Sequence, residues 1–269
     1  MRAAAWVMLL LPVVAATCGN ASATAPPDRA CFLLHEVGRG EIRRDPAGAC
    51  RTRVSPQSTF KIPHALAALD AGVISNADSS FAYDGTPYPF EAWRRDHTLA
   101  TAMRFSAVWW FQRVARALGA AREQEYLRRL DYGNADSTSG LTTFWLGGSL
   151  AISPEEQARV LLRLFANTLP VSDHAMRTVR QVLVQPPGVV VNASGEHPFA
   201  GTWPAGTILS AKTGSGNVRG GGEVRWLVGH VSRAGRAWVF VSCVIGGDDT
   251  PALAAVDLAA RSLRREGIL

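Results

Sequence analysis

Two lysines stand in a 269-residue chain that otherwise meets its need for positive charge with arginine: of 28 Lys plus Arg, only Lys61 and Lys212 are lysine. Arginine serves solvated and ion-pairing roles but stays protonated, whereas a buried lysine can lose its proton and act as a base. Chemistry is therefore expected at these two positions. Lys61 closes the run Ser58-Thr59-Phe60-Lys61, and Lys212 opens Lys212-Thr213-Gly214. A serine hydroxyl is a weak nucleophile until a base takes its proton and an oxyanion site receives the developing charge. Three residues apart in a helical turn, Ser58 and Lys61 share a face, so the base is within reach. Holding that lysine neutral near pH 7 means lowering its pKa by ~3 units from ~10.4, about 4 kcal/mol of burial or cationic neighbours. Phe60, Val108, Trp145 and Leu146 are candidates for the apolar surroundings.

The elements that must position these groups follow from periodicity. Apolar residues at Phe60, Ile62, Ala65, Leu66 and Leu69 predict a helix after Pro56 that stops at Gly72, with Pro63 early enough to be tolerated. Phe32 to Val37 and Glu41 to Arg44 predict strands around the turn Gly38-Arg39-Gly40. Helices are expected from Ser106 to about Leu118, from Ala121 to Leu130, from the capping-box serine Ser153 to Phe165, and from Ser172 to about Val184. Strands then return at Thr207 to Thr213, Arg225 to Ser232 and Ala237 to Ile245, before a last helix from Pro251 to about Glu266. Strands at both ends around a helical middle (about 74–188) predict an α+β fold, its antiparallel sheet built from N- and C-terminal segments and flanked by helices.

Residues 1–23 have the layout of a secretory signal: Arg2, the apolar stretch Ala3 to Ala16, and the small-residue site Ala21-Ser22-Ala23. About 14 apolar residues are too few to span a bilayer, which takes ~20. The expectation is one catalytic domain over 24–269, periplasmic or secreted, with lipidation at Cys18 a minor alternative. Export permits disulfides, and Cys31 and Cys50 are expected to pair, leaving Cys243 free. The net charge of +6 is carried by scattered arginines rather than a basic stripe, which argues against nucleic-acid binding. The six histidines are dispersed and no Cys-x-x-Cys occurs, so no metal site is expected.

The ordered set Ser58-Thr59-Phe60-Lys61, Ser106-Ala107-Val108, Tyr132-Gly133-Asn134, Trp145-Leu146 and Lys212-Thr213-Gly214 resembles the class D β-lactamases, the oxacillinases. Ser-x-x-Lys and Lys-Thr-Gly are shared by serine β-lactamases and penicillin-binding proteins generally; Val108 and Trp145 are the discriminating positions. The resemblance, over roughly 31–269, implies the fold of that superfamily and hydrolysis of β-lactams through a Ser58 acyl-enzyme. It implies that Lys61 becomes N6-carboxylysine by reaction with carbon dioxide or bicarbonate, with no other cofactor, in a pocket of Val108, Phe111 and Leu146 where the Trp145 indole N–H holds the carbamate. It further implies that Ser106 passes a proton to the departing nitrogen with Lys212 nearby. The backbone N–H groups of Ser58 and Ser215 would form the oxyanion hole, while Thr213 and Gly214 of the Lys-Thr-Gly strand would contact substrate.

Two departures accompany the resemblance. Family members usually carry an Arg near the start of the last helix for the substrate carboxylate, where this chain has Ala255; Lys212, Thr213 and Ser106, or Arg219 in the glycine-rich loop, are the substitutes considered. Ser215-Gly216 after the triad is also closer to other serine β-lactamase classes. The alternative function is a β-lactam sensor or penicillin-binding domain that acylates without turning over. Tyr132-Gly133-Asn134 is balanced between a site-margin role and a plain turn.

Overall fold

The computed structural model describes residues 29–269, so the expectations for the leader and Cys18 lie outside the described residues. The α+β architecture is as the sequence predicts. Strands β1 (Arg29–Glu36) and β2 (Gly40–Asp45) form the first hairpin. Strands β7 (Ile208–Asn217), β8 (Glu223–Arg233) and β9 (Arg236–Gly246) complete an antiparallel sheet in the order β2-β1-β9-β8-β7. Two small hairpins, β3 (Ser80–Phe81) with β4 (His97–Thr98) and β5 (Val189–Asn192) with β6 (Gly195–Pro198), lie outside it.

Period two along each strand sends alternate side chains to opposite faces. Leu33, Val239 and Val241 pack toward the helical layer, whereas Phe32, Leu34, Leu227 and Phe240 pack under the final helix, α7 (Ala254–Arg265). The helical layer holds α1 (Lys61–Asp70), α2 (Leu99–Arg104), α3 (Val108–Leu118), α4 (Ala120–Leu130), α5 (Pro154–Phe165) and α6 (Asp173–Val182). The Ser153 capping box that opens α5 closes as expected, with Ser153 and Glu156 bonding reciprocally.

Helix α1 is more deeply placed than its apolar stripe suggests. Every residue from Lys61 to Leu69 is buried, including Pro63, His64, Ala67 and Ala68. A helix covered all round carries its first residues into a water-poor interior, and Lys61 is one of them.

Several boundaries shift by two or three residues, with β1 starting at Arg29, β8 at Glu223 and the helix expected from Ser106 at Val108, and two further differences bear on the site. Strand β7 continues four residues past Thr213 to Asn217, because it stays in unbroken register with β8 as far as Asn217↔Glu223. The Lys-Thr-Gly triplet therefore sits within the strand rather than at its end. The last helix starts at Ala254, not Pro251, since the preceding residues are spent on turns, with Thr250 N–H donating to Gly247 O and Ala254 N–H to Pro251 O. Cys31 and Cys50 are bonded across 19 residues, and Cys243, register partner of Cys31 on β9, is free and buried.

Candidate active site

The nucleophile candidate sits in a short 3₁₀ turn (Gln57–Phe60) that runs directly into α1. Ser58 is half-buried at the mouth of a cleft of about 490 Å³, while Lys61, one turn on, is buried completely. Lys61 Nζ donates to Ser58 Oγ at 2.7 Å. Burial, and secondarily the charge of Lys212, push the Lys61 pKa well below the ordinary lysine range. A neutral amine has a lone pair, so the same contact can run in reverse with the hydroxyl donating.

Around this pair the apolar wall is aromatic. The Phe111 ring lies 5.5 Å from Lys61 Nζ, and Trp145 stacks on Phe60 at 5.5 Å while meeting His64 at 5.4 Å. Trp145 is wholly buried, yet its Nε1–H has no hydrogen-bond partner. An indole N–H left unpaired in the interior costs free energy, so a buried acceptor is called for on that side. Val108 and Leu146 are half-buried and line the cleft with Ser58. These residues fit a carbamate on Lys61: a neutral amine, a dry wall and one idle donor.

The second lysine enters from the sheet. Lys212 is 2% exposed, and its Nζ donates to Ser106 Oγ at 3.0 Å and to Thr213 O at 3.0 Å. Burial lowers its pKa to about 7. Ser106 joins α2 to α3 with φ of 57°, the left-handed region that a non-glycine residue adopts only under constraint. Gln57, immediately before the nucleophile, has φ of 51° and is held by its side-chain amide donating to Asn217 O at 2.8 Å and its backbone N–H to Trp145 O at 3.0 Å. Neither strained residue carries a sequence signal, since neither is Gly, Asn or Asp.

The strand β7 meets the Ser58 turn across Gly214. A Cβ there would lie 3.0 Å from Pro56 O and 3.1 Å from the Thr59 methyl, so the glycine lets the strand approach the nucleophile. β7 is the sheet's edge strand, and Ala211 N–H donates outward to Leu183 O. Period two then sends the N–H groups of Thr213 and Ser215 out of the same open edge. The Ser58 N–H lies in the first turn of its helix, where backbone donors have no intrahelical partner. Both expected oxyanion donors therefore come from backbone that the sheet and helix leave free.

The remaining predicted residues separate cleanly. Thr213, Gly214, Ser215 and Ala255 line the cleft. Arg219 does not: it lines a second cavity of about 550 Å³ with Arg53, Asn134 and Gly221, which contains none of the residues named above as nucleophile or base. Its loop leaves the sheet past the end of β7, so it does not serve as the cleft's cation. Tyr132-Gly133-Asn134 does not line the cleft and makes packing contacts instead. A Cβ on Gly133 would meet Ala151 O at 2.2 Å, and the Asn134 side chain bonds Ala151 N and Ser149 O, fastening the loop that carries Trp145.

Other wall residues escaped the sequence. Phe90 and Trp93 line the cleft, as does Arg225 on β8, one arginine among many with nothing local to mark it. Behind Lys61, His64 Nε2 lies 2.6 Å from Glu123 Oε1, both buried, in a contact without hydrogen-bond alignment. Among the described residues there is no cluster of three or more His, Cys, Asp or Glu placed to hold a metal ion.

With this geometry in place, comparison with known proteins decides the family. Residues 35–262 match the family described as the penicillin binding protein transpeptidase domain. The probable β-lactamase YbxI of Bacillus subtilis is 32% identical over 238 residues, covering 88% of this chain and 81% of its own length. The structure of the class D β-lactamase BAT-2 superposes with a TM-score of 0.78 at 30% identity, covering 90% of this chain and 93% of that one. The chain belongs to the class D β-lactamase family. The fold is also that of the C-terminal domain of the Bacillus licheniformis BlaR penicillin-receptor, with a TM-score of 0.78 at 30% identity and coverage of 90% and 92%. Class D membership thus comes with likeness to a receptor domain as well as to β-lactamases.

Proposed function

We propose that this class D family member hydrolyses β-lactam antibiotics through an acyl-enzyme on Ser58, with Lys61 as the base. The observation that carries the reading is the fully buried Lys61 amine, its pKa depressed by burial, 2.7 Å from the Ser58 hydroxyl in the wall of an open cleft. Ser58 Oγ attacks the lactam carbonyl carbon as its proton passes to the base at position 61. The N–H groups of Ser58 and Ser215 receive the oxyanion at the moment charge develops. The C–N bond of the ring then breaks, and the ring nitrogen takes its proton from Ser106 Oγ, which Lys212 resupplies across their 3.0 Å hydrogen bond. The proton held at position 61 then passes to Lys212, replacing the one spent on the ring nitrogen, so that the base is free again; it deprotonates a water that attacks the ester carbonyl and gives that proton to the departing Ser58 Oγ.

Carbon dioxide captured by the Lys61 amine would supply a carboxylate base, held by the idle Trp145 N–H within the wall of Val108 and Leu146. Thr213 and Gly214 position substrate along β7. No metal takes part in this scheme. Export of the protein follows from the leader reading, and no helix among the described residues is long and apolar enough to cross a membrane.

The second reading, acylation without release, draws on the likeness to the BlaR receptor domain. Turnover of a chromogenic cephalosporin by purified protein, with and without bicarbonate, separates the two. Many turnovers that accelerate with bicarbonate support the hydrolase; one stoichiometric burst supports the receptor-like reading, and no reaction at all refutes both.

A further inference from the structure

The cleft beside Ser58 has one formally charged side chain in its described wall, and it is Arg225. Penicillins and cephalosporins are anions at neutral pH, with a carboxylate one atom from the lactam nitrogen. A productive complex therefore needs a cation near the far side of the nucleophile. Lys212 is poorly suited: burial lowers its pKa to about 7, and its nitrogen is committed to Ser106 and to the Thr213 carbonyl. Ala255 offers no charge from α7, and Arg219 faces the other cavity.

Register places Arg225 beside the stretch of β7 expected to hold substrate. Arg225 pairs with Ser215 across β7 and β8, and Thr213 is two residues along β7, so period two puts all three side chains on one face of the sheet, the face toward α7. The guanidinium is anchored by Nη2 donating to Glu223 Oε2 and, at 3.1 Å, to Thr250 O, and by Nη1 donating to Val224 O at 3.3 Å. Its Nε–H has no partner although the side chain is 8% exposed. A buried cation with a donor left idle, beside the residues expected to hold substrate, is a built anion site.

We propose that Arg225 is the residue that recognises the substrate carboxylate, acting from strand β8 because the last helix presents Ala255. The proposal rests on the β-lactamase reading. Glu223 shares the guanidinium and sets its orientation, so that binding exchanges part of one carboxylate contact for another rather than ordering a free side chain. Thr213 adds a hydroxyl on the same face.

The test compares a penicillin with its methyl ester, which keeps the reactive ring and removes the negative charge. Wild type is expected to favour the free acid in kcat/KM, and Arg225→Gln to lower that acid-to-ester ratio by about 10- to 100-fold, chiefly through a raised KM for the acid, the range expected for a lost charge-assisted hydrogen bond. Ester turnover should change little. Should Arg225→Gln not fold, Arg225→Lys keeps the stem and a point charge but loses the planar fork, and a smaller fall in the ratio is expected. An unchanged ratio in the variant that folds overturns the proposal while leaving β-lactam hydrolysis standing. Wild type that turns over neither acid nor ester overturns both.

Discussion

Replacing Lys212 by Met should make the protein more stable relative to wild type at neutral pH than at alkaline pH, because a buried lysine is an expense to the fold. Its pKa of about 7 in the folded state lies below the ~10.4 of an unfolded lysine. Between those values the unfolded chain binds the additional proton, so stability rises with pH through this window, and the penalty is complete below it. The full difference is about 4 to 5 kcal/mol at 1.36 kcal/mol per pKa unit. Between pH 7 and pH 9 the wild type should recover about 2 kcal/mol of it, since the group is half titrated at the lower end. Methionine has no such dependence. It also loses the hydrogen bonds to Ser106 and Thr213 O, but that loss shifts both measurements equally. Urea unfolding of wild type and Lys212→Met at pH 7 and pH 9, at fixed ionic strength, reads the difference directly. Lys61 is present in both proteins, and only the smaller part of its shift, the part due to the Lys212 charge, differs between them. Parallel stability-against-pH curves for the two proteins would refute the claim that Lys212 is held near its titration point by burial.

Ser58→Ala should leave the fold intact and abolish covalent labelling by a fluorescent penicillin; a labelled variant would remove Ser58 from the mechanism. Trp145→Phe keeps an aromatic against Phe60 and His64 but deletes the idle N–H, so stopped-flow kinetics should show a burst of acylation and then slowed release, and unchanged turnover counts against the carbamate. Glu123→Ala should cost about 1–3 kcal/mol by leaving the buried His64 ring without its polar neighbour. In a double-mutant cycle, His64→Ala should then add less than its cost alone, and simple additivity would mean the contact is idle. Reducing the Cys31–Cys50 bond, which closes 19 residues, should lower unfolding free energy by about 3 kcal/mol, seen as a shift in denaturant midpoint; an unchanged midpoint contradicts a stabilising role.

Much of the fold was legible because its signals are local. The Ser153 capping box, the turn at Gly38-Arg39-Gly40 and the continuous apolar runs of β8 and β9 each announce an element within a few residues. So does the disulfide, since two cysteines across a short predicted hairpin leave few alternatives. The lysines at 61 and 212 stood out against a background of arginine, and the structure brings each beside a serine. What stayed hidden depends on contacts distant in sequence. Nothing in Lys61–Leu69 tells that the helix is covered on every side. The extra length of β7 is dictated by the partner strand, and the left-handed backbone at Gln57 and Ser106 is imposed by neighbours that hold them there. Arg225 is the plainest case: its place in the cleft comes from register with Ser215, which a one-dimensional reading does not relate to it.

Catalysis by this chain turns on whether Ser58 is acylated and then freed. Rapid acid quench of wild type during turnover of a penicillin, with intact-mass and peptide mass spectrometry of the quenched protein, measures both events. The expected result is a transient adduct of the whole substrate mass on the peptide containing Ser58, gone once substrate in many-fold excess is consumed. An adduct on another residue, no adduct during hydrolysis under conditions where acylation outpaces release, or one that persists at one equivalent after the antibiotic is exhausted would contradict it.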